Sequence, residues 1–336
     1  MKDDLAEYIE IIDKLPGASV AVIGDIVADV YMYGRPFKLS REAPVVVVKY
    51  EGETIVPGSA GNTVNNLSTL GATVFPIGIV GDDREGNFLR DHFSRDGVDV
   101  TGVFTSKERA TISKTRILAG DTHASKHQVI RIDKETPWNM PASMEKEILG
   151  YIAEVDKKVD VWIISDYGYD IITPGILEKM KAIAREKTVV ADSRDRICDF
   201  VGATVISPNE TEAAAATGIS INGEDDVLRA GKELLKKVGS EAVIITRGNH
   251  GMVLFEKTGN VEKIPICGPN EVTDVTGAGD TVTVMLALAK PAGASYAQAT
   301  RLSNYAAGVV VMKNGTATVS RSELVEIITK DFNKKT

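Results

Sequence analysis

Apolar and polar positions along the chain fall into two alternating rhythms. Short β-rich apolar runs occur at Ser19-Val-Ala-Val-Ile-Gly24, Thr73 to Val80, Val159 to Ser165, Thr188 to Ala191, Thr204 to Ser207 and Ala242 to Thr246. Their length and composition are those of buried strands. Between them lie stretches with helical spacing, at Glu85 to Arg95, Gly175 to Arg185, Asp225 to Val238 and Ala297 to Met312, with further helices at the N-terminus and in the charged tail. Regular alternation of strand and helix predicts an α/β fold, a mostly parallel sheet with helices on both faces. Met252 to Glu256 and Val261 to Ile266 read as an antiparallel edge.

From Tyr31 to Pro57 the pattern changes. Arg35-Pro-Phe-Lys-Leu-Ser-Arg-Glu-Ala-Pro-Val45 leads into Val45 to Tyr50 and Glu53 to Val56, short Val-rich pieces punctuated by proline. They suit a small sheet projecting from the main body. Thr111 to Leu118 and Gln128 to Asp133 alternate, which places Lys114 with Arg116, and Arg131 with Asp133, on common strand faces. Such a basic pair either clamps a phosphate or forms a solvated edge. The expectation is a β lid from about 31–57 and 101–133 on one domain covering 1–336, without internal repeat, low-complexity tract or linker. His123 and His127 have i, i+4 spacing but no HExxH pattern, so the loop they flank reads as an exposed part of the lid and not as a metal site.

Composition narrows the function classes. With 336 residues, 43% hydrophobic and 26% charged, the chain can bury a sizeable core. A net charge of -8 provides no basic field to draw it to a phosphate backbone, so no nucleic-acid partner is expected. No run reaches the roughly 18 apolar residues of a membrane span, so no membrane partner is expected either. Cys198 and Cys267 form no CxxC pair, and the acidic, amphipathic start does not resemble a signal peptide. A cytoplasmic protein is the expectation.

The densest chemistry lies in Asp274-Val-Thr-Gly-Ala-Gly-Asp280, just before an apolar helical run. A glycine turn opening a helix aims unpaired N–H groups and the positive end of the helix dipole at one point, where an anion is stabilised. Asp280 beside it suits a base that takes a proton from a hydroxyl, although a bare GxGD is also an ordinary capped turn. Asp25 and Asp29 follow a strand's carboxyl end, where open sheets bind ligands; they suit sugar hydroxyls or serve as a loop residue and a helix cap. Gly58-Ser-Ala-Gly-Asn62, which opens a segment ending at Gly71, lets backbone approach a ligand, with Asn62 able to donate and accept toward a polyol. Strand ends at Ser165-Asp166-Tyr167-Gly168, Asp192-Ser-Arg194, Pro208-Asn209-Glu-Thr-Glu212 and Thr246-Arg247-Gly248 line one rim. Asn209 and Glu212 also fit a helix cap and its capping-box partner.

Three of these segments in this order, Gly58 to Gly71, Asn209-Glu-Thr-Glu212 and Asp274 to Asp280, resemble the ribokinase-like (PfkB) carbohydrate kinase family over nearly the whole chain. That resemblance implies a three-layer ribokinase-like fold with a small β lid. Gly24-Asp25 with Asp29, Ser40-Arg-Glu-Ala-Pro-Val45, Ser165-Asp166-Tyr167 and Asn304-Tyr-Ala-Ala-Gly-Val-Val-Val311 resemble segments of the kinases that phosphorylate C1 of D-glycero-D-manno-heptose 7-phosphate. Carried over, the resemblance implies Asp280 as catalytic base and Gly277, Ala278 and Gly279 as its anion hole. It implies ATP along Asn209, Glu212, Thr246, Arg247, Gly248 and Asn304, with Glu212 near hydrated Mg²⁺. The sugar side would comprise Asp25, Asp29, Gly58, Asn62, Arg116, Asp133, Asp166 and Arg194. Asp274 and Thr276 resemble residues of a monovalent-cation (K⁺) loop.

Two positions depart from the heptose-kinase pattern. Tyr169 stands where a lysine is usual, and Asp192-Ser193-Arg194 where Asp-Pro-Lys is usual. Arg194 keeps a charge for a sugar phosphate, whereas Tyr169 supplies none. No HxGH motif is present, so the expectation is a kinase step without an adenylyltransferase domain. The alternatives are a kinase for another sugar, sugar phosphate or nucleoside, and a sugar-binding regulator that has lost its chemistry. The exposed valines of the lid predict a homodimer with paired lids.

Overall fold

The computed structural model describes residues 5–120, 126–267 and 273–335. The expectation for His123 lies outside these residues. After α1 (Leu5–Lys14), β1 (Ser19–Gly24) runs into β2 (Ile26–Leu39) and β3 (Val46–Ser59), and α2 (Ala60–Thr69) returns to β4 (Thr73–Gly81). Then come α3 (Arg84–Arg95), β5 (Val103–Ser106), β6 (Ser113–Ala119), β7 (His127–Lys134) and α4 (Ala142–Val155). The alternating part holds β8 (Val161–Asp166), α5 (Pro174–Ile183), β9 (Thr188–Ser193), β10 (Val205–Ile206), α6 (Glu210–Thr217), α7 (Glu224–Val238) and β11 (Ala242–Thr246). A hairpin of β12 (Met252–Glu256) and β13 (Val261–Ile264) precedes α8 (Ala278–Ala289), α9 (Tyr296–Val310) and α10 (Arg321–Lys335).

Among the described residues these strands make a nine-stranded sheet, ordered β13-β12-β11-β10-β9-β8-β1-β4-β5, and a four-stranded one, β3-β2-β6-β7. The large sheet is parallel except at the β11-β12-β13 edge, as the sequence pattern predicts. Alternation divides its side chains between two cores: Val20 and Val22 pack with α8 and α9, Ala21 and Ile23 with α4, α5 and α7. α8 is buried from Asp280 through Ala289, so its apolar run is a central helix pinned under the sheet. α7 is amphipathic, with Glu224, Asp225 and Asp226 in its first turn, Lys236 and Lys237 in its last, and a left-handed Gly239 ending it.

Two expectations need correction. β2 and β3 are long, continuous strands that pair from Ile26↔Ser59 to Leu39↔Val46, with register shifts absorbing Gly34 and Pro36. Residues 101–112 do not belong to the lid, because β5 pairs with β4 at the edge of the main sheet and the lid resumes only at Ser113. α4 is an addition that the sequence pattern did not reveal: its buried stripe is only Ile148, Ile152 and Val155, too narrow to stand out.

The lid has two unlike faces. Asp29↔Lys114↔Asp133 and Tyr31↔Arg116↔Arg131 form polar rows on one. Val30↔Thr115↔Ile132 and Met32↔Ile117↔Ile130 form rows, mostly apolar, on the other. Among the described residues no helix is long and apolar enough to cross a membrane.

Candidate active site

The start of α8 is built for close approach. Gly277, its N-cap, has φ 82°, and a Cβ there would stand 2.6 Å from Asn62 Nδ2. A glycine is therefore required twice over, by backbone conformation and by the neighbouring amide. No side chain caps this helix end among the described residues, which leaves its first-turn N–H groups for a ligand. The Ala278 N–H closes a long turn bond of 3.3 Å to the Val275 carbonyl, a contact with which an anion would compete.

Asp280 follows in the first turn and is 3% exposed. Its Oδ1 accepts from the Tyr167 hydroxyl at 2.8 Å and its Oδ2 from Asn62 Nδ2 at 2.7 Å. Asn62 is fixed in turn, since Asn66 Nδ2 donates to its Oδ1 at 3.1 Å and to its carbonyl at 3.0 Å. Burial pushes the Asp280 carboxyl up to about 6, against the lowering effect of Asn62 and Tyr167. A carboxylate of that pKa is ionised near neutrality and basic enough to accept a proton. Tyr167 is the functional candidate that sequence reading passed over, taken only as part of a polar strand end.

On the side of β1, Asp25 is buried and accepts from the backbone N–H groups of Tyr167 at 2.8 Å and Tyr169 at 3.2 Å. Burial pushes its carboxyl up to about 6 as well. Asp29 lies on β2, its Oδ1 2.5 Å from Arg116 Nη1, and a Cβ on Gly58 would meet its Oδ2 at 2.4 Å. Gly58 thus serves to admit the Asp29 carboxylate. Lys114 Nζ lies 3.3 Å from both Asp133 and Glu135 and donates to the Tyr169 hydroxyl at 2.7 Å, while Arg131 grips Asp133 at 2.8 and 3.0 Å.

Some expected ligand contacts take other parts. Asp166 accepts from Ser193 Oγ at 2.7 Å, from Arg196 at 3.1 and 3.3 Å and from the Gly168 N–H at 3.4 Å. Its four lone-pair sites are filled, so it braces the strand end and does not face a sugar. Arg194, expected at a sugar phosphate, stacks over the Tyr167 ring at 5.1 Å, close to Asp192 and Glu212. Asn62 offers its amide to Asp280 instead of to a polyol.

Across α8 a cleft is lined by Thr246, Gly248, Val275, Gly279, Asn304 and Gly308. Asn304 Nδ2 donates to the Pro265 carbonyl at 2.6 Å, and Asn209 bridges to Thr246 beside the cleft. Asn209 and Glu212 form a reciprocal capping box at 2.9 and 2.8 Å, so the capping reading holds for both. Arg247 spends its charge on Glu210 at 2.6 Å and acts as an anchor for α6. Burial, then the negative charge of Glu212, Asp280 and Asp166, pushes Asp192 far above the usual carboxylate range. Among the described residues no cluster of His, Cys, Asp or Glu is arranged to hold a metal ion by itself, so a cation here would keep much of its water. Asp274 accepts from the Thr276 N–H at 2.9 Å and the Gly315 N–H at 3.0 Å, tying the turn before α8 to the 315–316 loop, where Thr316 also donates to the Tyr31 hydroxyl at 3.3 Å.

The arrangement is similar to that of known proteins. Residues 18–323 match the family model described as pfkB family carbohydrate kinase. The chain is 42% identical over 307 residues to the bifunctional protein HldE of Geobacter metallireducens, covering 90% of this chain and 61% of that protein. It is 37% identical over 321 residues to the bifunctional protein HldE of Pelobacter propionicus, covering 95% and 64%. The chain thus spans a little over three-fifths of the length of these relatives. Among solved structures, the Arabidopsis thaliana ribokinase complexed with ribose and ATP superposes with a TM-score of 0.72 at 18% identity, covering 93% of this chain and 98% of that one. Phosphofructokinase-2 from Escherichia coli gives 0.73 at 17%, covering 93% and 99%. These last two establish the fold, a ribokinase-like α/β architecture. With the match over 18–323, the chain belongs to the pfkB family of carbohydrate kinases and is a sugar kinase.

Proposed function

We propose that the chain transfers the γ-phosphoryl group of ATP to the C1 hydroxyl of D-glycero-D-manno-heptose 7-phosphate, with Asp280 as the base. The observation that carries this reading is the placement of a buried carboxylate, its pKa pushed up to about 6, in the first turn of a helix whose N-terminus opens between two rims. One rim holds Asp25, Asp29 and Arg116 for the sugar; the other holds the cleft of Thr246, Gly248 and Asn304 for the nucleotide. The amides of Gly277, Ala278 and Gly279 would receive the charge that develops on the transferred group. Mg²⁺, held through water by Glu212 with Asp192 nearby, would neutralise phosphate oxygens when bound. Asp274 and Thr276 would shape the loop for a monovalent cation such as K⁺.

Two features favour the heptose phosphate: the likeness of several segments to heptose 7-phosphate kinases, and the 42% identity to HldE. Lys114 supports the reading at the position of Tyr169, since its ammonium donates to the Tyr169 hydroxyl at 2.7 Å where a lysine is usual. A kinase for an unphosphorylated sugar is the second reading, favoured by the carboxylates of Asp133 and Glu135 that flank the same ammonium. A lid-paired homodimer in the cytoplasm completes the proposal.

A coupled ADP-release screen over heptose 7-phosphate, other sugar phosphates and free sugars tests it. Heptose 7-phosphate is expected to give the highest kcat/KM, and preference for an unphosphorylated hexose would favour the second reading. Asp280→Asn is expected to retain ATP binding and lose at least about a thousandfold in kcat; near-normal turnover would reject the base.

A further inference from the structure

Both oxygens of the Asp280 carboxylate are already engaged, Oδ1 by the Tyr167 hydroxyl at 2.8 Å and Oδ2 by the Asn62 amide at 2.7 Å. The two donors are not equivalent. Asn62 is locked on α2 by Asn66, and its side chain fills the space that Gly277 leaves. Tyr167 sits on a strand end where Asp166 is held by four hydrogen bonds but the next residue, Gly168, has φ 81°, followed by Asp170 at 67°. Its backbone N–H donates to Asp25 Oδ2 at 2.8 Å, so one residue joins a sugar-side carboxylate to the base.

Resting on Asp280 as the base, we propose that Tyr167 is a positioning residue whose hydroxyl holds Oδ1 in the place of the acceptor hydroxyl until a sugar arrives. Three consequences follow from the geometry. The base keeps its orientation in the absence of sugar, because donors pin it from two elements, α2 and the end of β8. The Tyr167 hydroxyl takes one of the two Oδ1 lone-pair sites of a carboxylate that is only 3% exposed, so a water is poorly placed to reach it and attack of water on the nucleoside triphosphate is suppressed without an acceptor. A sugar that binds Asp25 competes for the carboxylate that tethers the Tyr167 backbone, and thereby frees Oδ1 for its own hydroxyl. The phenol remains a donor throughout, since burial beside Asp280 and Asp192 drives its pKa well above the ordinary value. The groups that face this pair are Asp29 from β2, Asp192 from β9, and Arg194, whose guanidinium lies 5.1 Å over the Tyr167 ring.

Tyr167→Phe removes the hydroxyl and keeps the ring under Arg194. ADP release is measured with ATP and Mg²⁺ alone, and then with the sugar that the wild type turns over, across pH 5 to 9. Loss of a hydrogen-bond donor raises a carboxylate's pKa, so the acid limb of sugar-dependent kcat/KM is expected to move up by about one pH unit. The ratio of sugar-independent to sugar-dependent ADP release is expected to rise on the order of tenfold. An unmoved acid limb overturns the positioning role, and an unchanged ratio overturns the guarding role. Asp280→Asn, assayed alongside, separates the two levels: if it keeps turnover the base assignment fails, whereas an inactive Asp280→Asn with an unaltered Tyr167→Phe rejects this inference alone.

Discussion

Asp25 and Asp280 show how one physical cause serves two purposes. Loss of water pushes both carboxyls to about 6, yet Asp25 is held by backbone N–H groups and Asp280 by two side chains. Asp25 shares its Oδ2 between two backbone donors, whereas each oxygen of Asp280 takes one side-chain donor. A group whose pKa is raised is protonated as the pH falls through that raised value, and a protonated Asp280 cannot accept a proton. Sugar-dependent kcat/KM is therefore expected to fall on the acid side with an apparent pKa near 6, and a flat profile down to pH 5 would contradict it. Gly277 allows a sharper test. Gly277→Ala would place a Cβ 2.6 Å from Asn62 Nδ2 at a φ of 82°, displacing both the anion-binding turn and a donor to the base. A loss on the order of a hundredfold in kcat is expected in steady-state assays, with the fold intact by circular dichroism. These residues could be read from the sequence because the glycines and Asp280 are neighbours in the chain. Tyr167 could not, because its partner lies 113 positions away and a tyrosine at a strand end carries no local signal.

At the level of elements, α6 shows how one motif carries two meanings. Asn209 and Glu212 satisfy each other's backbone donors, and the same turn presents Glu212 to the buried carboxylates around Asp192. Asn209→Ala is expected to cost about 1 kcal/mol and to lower the Tm by about 2 °C in thermal unfolding. Asn209→Asp should restore the cap, and equal melting of all three proteins would show that the cap contributes nothing. The central strands and the antiparallel edge were legible because buried runs and turn residues are local signals. The lid was legible only in outline. Pro36 reads as an interruption, but a register shift absorbs it, as another does at Gly34, and the strand continues. The sequence pattern places β5 with the lid because a four-residue strand carries no mark of its sheet; its partner, β4, identifies it.

At the scale of the whole molecule, the lid poses a problem that one chain does not solve. Its polar face turns Asp29, Lys114 and Arg116 toward the site, and alternation then forces Ile130 and Ile132 onto the opposite face, where each is 53% exposed. Leu39 and Val46, paired across β2 and β3, are 69% and 57% exposed, and Phe37 is 55% exposed. Scattered apolar residues on a surface need no explanation, but a cluster on one small sheet does. A second copy related by a two-fold axis would present the same apolar residues to it, and the two lids would cover each other while their charged faces stayed over the two sites. The chain is therefore expected to size in solution at twice the mass of a single chain at micromolar concentration. The double substitution Ile130→Asp with Ile132→Asp is expected to give a single-chain mass with the main sheet unchanged by circular dichroism. Because Ile132 lies beside Thr115 in the row next to Lys114 and Asp133, monomers should also hold the lid less firmly, raising KM for the sugar more than KM for ATP. A wild-type chain that sizes as a monomer would refute the pairing, and a monomeric variant with unaltered sugar KM would separate assembly from substrate capture.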